Sequence, residues 1–159
     1  MISQITRNPR YAAVFLRAAL GFSFLSAVAD RFGLWGAYGQ PHVAWGDFPH
    51  FVVYTGKLNW FVPASAIPAI ALMATAAETA LGVALLLGLF PRLIAALSGI
   101  LLLMFAVTMA LALGIKAPLD ASVFSASAGA FLLAFVLSMR SPSPTEAGDS
   151  NSPVRRSGS

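Results

Sequence analysis

From Leu58 to Pro91 the chain carries one formally charged side chain, Glu78, and from Leu93 to Ile115 it carries none. Runs of this length and apolarity leave few folds open. A continuous apolar stretch of about 20 residues spans the hydrocarbon core of a bilayer as a helix. Inside lipid, backbone N–H and C=O groups must bond within their own segment. The runs do not alternate apolar and polar residues, so a transmembrane β-barrel is not expected. Composition agrees. Hydrophobic residues make up 58% of the 159-residue chain and charged residues only 10%, against roughly 25% charged in ordinary soluble domains. The expected fold class is all-α: an integral membrane four-helix bundle, with an interfacial amphipathic helix in a long first outside loop.

Four spans are read at Tyr11–Ala29, Pro68–Phe90, Leu93–Leu113 and Ser122–Met139. Residues 1–10 form an N-terminal segment, 11–139 the transmembrane domain, and 140–159 a tail. Ala27-Val28-Ala29 has a trace of a signal-peptide cleavage site, but Arg17 interrupts the first apolar run and further spans follow, so the first helix is read as retained. Arg7, Arg10, Arg92 and Arg140 fall on one side of such a topology, and Arg31, Lys57 and Lys116 on the other. Positive charge collects on the cytoplasmic side, which gives an inner-membrane protein with both termini cytoplasmic. The tail, SPSPTEAGDSNSPVRRSGS, has almost no apolar residues to offset the entropy of ordering and is expected to be disordered.

Phe90-Pro91-Arg92 leaves too short a turn for helices two and three to be anything but antiparallel neighbours. The connection after helix one is long, from about Asp30 to Ile67, and loops of that length commonly carry structure or function. Its first part is rich in Gly and Pro and reads as irregular. In its second part Phe48, Phe51, Val52, Thr55 and Leu58 share one helical face. Asp47 is placed to cap that helix, with Pro49 in its first turn. Trp35, Trp45, Tyr54 and Trp60 suit a membrane interface.

Net charge is +4, but the basic residues are scattered singly, so nucleic acid is not an expected partner. Without cysteine, the chain offers no disulfide, iron–sulfur or thiolate metal site. No histidine lies inside a span, which removes a buried bis-histidine haem. His42, Asp47 and His50 have no standard metal-ligand spacing and read as a solvated loop, so no metal is expected. Met104, Met109 and Met139 read as lipid-facing or core residues. Ser98, Thr108, Ser125 and Ser127 read as hydroxyls bonding to helix backbones or between helices. No catalytic constellation is visible, and whether the chain is an enzyme is left open.

A carboxylate in mid-span must face protein, be paired or be protonated. Arg17, the other charged residue well inside an apolar run, is the expected partner of Glu78, making an intramembrane polar site between helices one and two. The preferred reading is a structural pair that locks two helices. The alternative is a charged site on a ligand or proton path. Asp30 and Arg31 mark the point where helix one leaves the membrane, or else the outer mouth of a pocket.

Arg17-Ala-Ala-Leu20-Gly21, Glu78-Thr-Ala-Leu81-Gly82, Leu85-Leu86-Leu87-Gly88 and Arg92 occur in that order. With Val52-Val53-Tyr54-Thr55 and Ser122–Ala130, they resemble the DoxX family of four-helix membrane proteins across roughly Arg17 to Met139. The resemblance implies a component of a membrane redox system, an accessory or non-catalytic subunit that meets the quinone pool and a redox partner subunit. Arg17 and Glu78 match the family's polar positions, and no cofactor is implied within the chain itself. The competing function is an oligomeric small transporter or a binder of lipid or another hydrophobic ligand. Membrane lipid is a partner in either case.

Overall fold

A computed structural model describes residues 9–139, and within them every regular element is helical. Residues 1–8 and the tail 140–159, with its expected disorder, lie outside the described residues. The helices are α1 (Pro9–Arg31), α2 (Phe48–Leu58), α3 (Ile67–Leu87), α4 (Pro91–Leu113), α5 (Lys116–Asp120) and α6 (Val123–Ser138). Among the described residues three helical segments are long and apolar enough to cross a membrane: Arg10–Arg31, Ala64–Leu87 and Pro91–Leu113. They point to a membrane protein. Many of their large apolar side chains face outward, among them Phe15, Phe22, Leu72, Met104 and Leu111, a surface that suits lipid. The last helix, α6, has 16 residues, about 24 Å at a rise of 1.5 Å per residue.

The tightest packing joins α4 to α6 and α1 to α3, while α1 against α6 and α3 against α4 are looser. Small residues set both close contacts. A side chain at Gly21 would meet Leu86 at 2.9 Å and the Gly82 carbonyl oxygen at 3.1 Å. One at Gly82 would meet the Gly21 carbonyl at 3.2 Å, so the backbones of α1 and α3 nearly touch. On the other pair the Phe131 ring fills the space above Gly99, and the buried Ser127 hydroxyl donates to the Gly99 carbonyl at 2.9 Å. Ser98 and Thr108 bond backward along α4 to Ile94 and Met104. Leu20, Phe24, Leu85, Ala95, Ala130 and Leu133 form the buried apolar core between the helices.

The turn between α3 and α4 lies at residues 88–90, two residues earlier than the sequence reading placed it. Gly88 ends α3 in the left-handed region (φ 74°), and its successor Leu89 donates to the Ala84 carbonyl, a C-terminal cap that needs no side chain. Pro91 is then already helical, at a position where its missing N–H costs nothing. Between α4 and α6, α5 adds one short turn that buries Pro118 and carries an exposed Lys116–Asp120 ion pair.

The connection from α1 to α3 folds back over the end of the bundle. Its first part is irregular but pinned. Gly46, at φ 68°, lies so close under Tyr38 that a Cβ would stand 2.2 Å from the Tyr38 nitrogen. Asp47 then caps α2 by accepting the His50 N–H at 2.8 Å. Phe51 and Thr55 turn inward and are buried, and α2 rests on α3, α4 and the end of α1.

The His50 backbone N–H, and behind it the His50 ring, hold the Asp47 carboxyl below the usual carboxylate range. A group whose pKa falls on folding stabilises the fold above its unfolded value, about 4 for Asp, and loses that contribution as pH drops through the folded value. Acid unfolding followed by circular dichroism should therefore show α2 loosening below about pH 4. Asp47→Ala should be less stable at neutral pH and should lose that part of the acid dependence; an unchanged acid limb would mean the cap contributes nothing.

Candidate functional site

The register of α1 against α3 decides what meets Glu78. Gly21 lies beside Gly82 and Leu86, and Arg17 packs against Gly88 at the C-terminal end of α3, where a Cβ would be 2.8 Å from its Nη1. Arg17 and Glu78 are thus separated by the ten residues from 78 to 88 along α3, about 15 Å at 1.5 Å per residue. They do not pair. The Arg17 cation instead sits where the α3 dipole is negative and carbonyls are left over.

Glu78 pairs with Arg31, from the last turn of α1. Arg31 Nη2 reaches both carboxylate oxygens, at 2.7 and 2.8 Å. Its Nη1 donates to the Thr75 hydroxyl at 2.8 Å, and that hydroxyl donates in turn to the Ala71 carbonyl. The guanidinium carbon lies 3.7 Å from the centre of the Phe51 ring and 5.2 Å from that of Trp45. A guanidinium on an aromatic face gains from the ring's negative quadrupole, more so away from water. Arg31 is 3% exposed and Glu78 2%. An ion pair so deeply buried holds only because its hydrogen bonds offset the loss of hydration.

Asp30 and Arg31 stand at the end of α1, where the sequence reading put the exit of helix one, and both are buried. Being adjacent they point apart, and the loop and α2 close over both. Asp30, 5% exposed, accepts the N–H groups of Ala44 and Trp45 on Oδ2, at 3.1 and 2.8 Å. It ties the returning loop to the end of α1. The Trp35 indole N–H donates to the Ser26 carbonyl at 3.0 Å and closes the other side of the loop on the same helix.

A cleft of 720 Å³ remains between the loop and α1, with Phe22, Ser26, Asp30, Trp35, His42 and Trp45 in its walls. That volume is in the range of small-molecule sites, as is a lining of aromatic rings with a few polar groups. Trp45 is also a wall of a smaller cleft of 260 Å³, with Tyr38, His50, Tyr54 and Lys57. The Tyr38 and His50 rings stack there at 3.8 Å, and the His50 Nδ1 stands 2.7 Å from Asp47. Burial pushes the Tyr54 phenol above its ordinary value. Of the three residues weighed as metal ligands, Asp47 and His50 bind each other and His42 belongs to the larger cleft.

Both oxygens of Glu78 are engaged by Arg31, so this carboxylate is a clasp holding α1, α3 and α2 together. The groups that remain open to a ligand lie beside the clasp, in the cleft. Thr75, Phe51 and Trp45 complete the Arg31 seat and were not expected there. The sequence signals of Trp45 and Phe51 are those of interfacial and amphipathic-face aromatics, and a threonine one turn before Glu78 carries no signal of its own. No protein-family model, curated protein or solved structure matches this chain.

Proposed function

We propose that the chain is a DoxX-type protein of a bacterial inner membrane, crossing it four times with both termini in the cytoplasm. It serves as an accessory, non-catalytic subunit of a quinone-linked redox system by holding a quinone head group beside α1. Helix α6 is the fourth span, short enough to require local thinning of the bilayer or help from flanking residues. Helix α2 lies at the outer interface, over the bundle.

The observation that supports this reading most directly is the cleft between Trp35, Trp45 and α1. A quinone head is a flat apolar ring with two carbonyl acceptors. The tryptophan and phenylalanine rings suit its plane, and the Ser26 hydroxyl and His42 ring can donate to its oxygens. Exposed Phe22 and Ser23 continue the cleft along α1 towards the lipid-facing surface, the side from which an isoprenoid tail would extend. Electrons come from a partner subunit.

Quinones quench indole fluorescence on contact. A short-chain quinone titrated into the detergent-solubilised protein should quench its tryptophans saturably, and phenylalanine in place of Ala27, a small residue of the α1 wall of the cleft, should abolish that phase. Quenching that never saturates, or that survives Ala27→Phe, would sink the assignment. Displacement of the quinone by phospholipid at lower concentration would favour the lipid-binding alternative.

Topology has its own test. A reporter active only in the periplasm should be active when fused after Lys57 or Lys116 and silent after Arg92 or Arg140. The opposite pattern would invert the orientation.

A further inference from the structure

Arg17 lies inside the apolar segment Arg10–Arg31, about 10 Å from its start at 1.5 Å per residue. Its guanidinium rests against Gly88: a Cβ there would stand 2.8 Å from Nη1, 3.3 Å from Cζ and 3.4 Å from Nη2. It has no hydrogen-bond or ion-pair partner among the described residues, and none of its nitrogens is fully buried. A cation at this depth needs acceptors, and the N–H groups of Arg17 are both unused and accessible. No carboxylate among the described residues supplies them. Glu78 is held by Arg31 and Asp120 by Lys116, while Asp30 and Asp47 accept backbone N–H groups in the connection from α1 to α3. The end of the bundle where α1 begins and α3 turns into α4 carries Arg10, Arg17 and the exposed Arg92. Neither α1 nor α4 has an acidic residue in its first turn, where negative charge would complement the helix dipole.

We propose that Arg17, seated on Gly88, binds the phosphate of an anionic phospholipid in the leaflet at this end of the bundle. A guanidinium presents two parallel N–H groups to phosphate oxygens, and its planar fork loses little freedom on binding when one side is already packed. The residues beside the seat on both helices, Val14 and Phe15 on α1 and Leu89 and Phe90 in the turn, are exposed and apolar. A phosphate carried on acyl chains fits such surroundings, and a dissolved one does not. The head group is anionic because a zwitterionic head brings an ammonium to an end of the bundle that holds only cations among the described residues. The negative end of α3 does not oppose the ligand, since the positive end of α4 follows directly after residues 88–90. This inference is independent of the quinone reading. The proposed orientation makes the leaflet the cytoplasmic one, where anionic lipid and basic residues meet; the opposite orientation would move the site to the other leaflet and leave its chemistry unchanged.

The test is native mass spectrometry of the full chain, delipidated in a non-ionic detergent and titrated with dioleoyl-phosphatidylglycerol or dioleoyl-phosphatidylcholine. The glycerol lipid should bind roughly tenfold or more tighter, the effect of a hydrogen bond between charged groups. Arg17→Gln should remove that preference, Arg17→Lys, which keeps the charge without the fork, should keep part of it, and Arg92→Gln should lower it less than Arg17→Gln. Equal binding of the two lipids by the unmodified protein overturns the proposal without any variant, as does an unchanged ratio in a folded Arg17→Gln protein. A loss in Arg92→Gln as large as in Arg17→Gln would mean diffuse surface charge in place of the seat, and overturns it too. Inorganic phosphate displacing the lipid at equal concentration would assign the site to a dissolved anion. The remaining carboxylates, Glu146 and Asp149, lie outside the described residues. If Glu146→Gln with Asp149→Asn in the full chain raises the affinity for the glycerol lipid tenfold, the tail competes for Arg17 and the proposal fails; an unchanged affinity supports it.

Discussion

Arg31→Ala is expected to destabilise the detergent-solubilised protein by about 3–5 kcal/mol, the scale for breaking a buried pair by removing one partner. The alanine leaves Glu78 at 2% exposure with neither of its two short hydrogen bonds. It also removes the stacking of the guanidinium on Phe51 and the donor to Thr75. Arg17→Ala should cost far less, because Arg17 is half-buried at a helix terminus, where a cation contributes typically 0.3–1 kcal/mol. The ranking is itself a test of register, since a pairing of Arg17 with Glu78 would reverse it. In the double variant Arg31→Met with Glu78→Met neither charge is orphaned, and two apolar chains of similar length replace them. It should be clearly more stable than the sum of the single changes. Thermal unfolding of the unmodified protein, Arg31→Met, Glu78→Met and the double variant in one detergent provides the cycle, and strict additivity would mean that the two residues do not depend on each other.

The second large effect concerns Gly21 and Gly82. Valine at either position should cost about 1–3 kcal/mol, the range for overpacking a close contact. The obstacle is backbone on both sides: the Gly82 carbonyl stands 3.1 Å from a Cβ on Gly21, and the Gly21 carbonyl 3.2 Å from one on Gly82. Leu86 or Leu25 can rotate away, but a helix carbonyl cannot without moving α1 from α3. Once one valine has parted the helices the second has less to displace, so the double variant should fall short of the sum. Gly56→Ala is the control. Its added methyl would meet only Ile67 at 3.6 Å, an ordinary contact, and alanine favours the helix it joins. A drop in stability for Gly56→Ala as large as that for the valines would mean that something other than helix separation is being measured.

The long helices were legible because their signal is local. Apolar runs, Pro91 and the small residues around Glu78 say where helices run and which faces admit neighbours. The Asp47 cap and the inward Phe51 were legible for the same reason, since a cap and a helical face are decided within a few residues. The partner of Glu78 was not. Arg17 was the expected partner because it is the other charged residue well inside an apolar run. The contact between Gly21 and Gly82 fixes the actual register, and a one-turn slide would look equally apolar in sequence. The burial of Asp30 and Arg31 was not legible, because nothing local tells that the loop after α1 returns over them. The burial comes from hydrogen bonds to Ala44 and Trp45 and from rings more than ten residues downstream.

The bond between Arg31 and Glu78 spans 47 residues of chain, which bears on how the protein is made. Helix α1 leaves the ribosome first, with its arginine unmatched. Glu78 follows only after the loop and α2, and enters its apolar segment as a lone carboxylate, at a penalty of several kcal/mol. The two charges cancel only when α1 and α3 have come together in register and α2 has closed on them. Every earlier stage of biogenesis carries an uncompensated charge, so the clasp makes the N-terminal half of the chain a single insertion unit. A nascent chain halted before α3 has emerged should be retained by the insertion machinery or degraded, while one halted after it should already be resistant to extraction from the membrane.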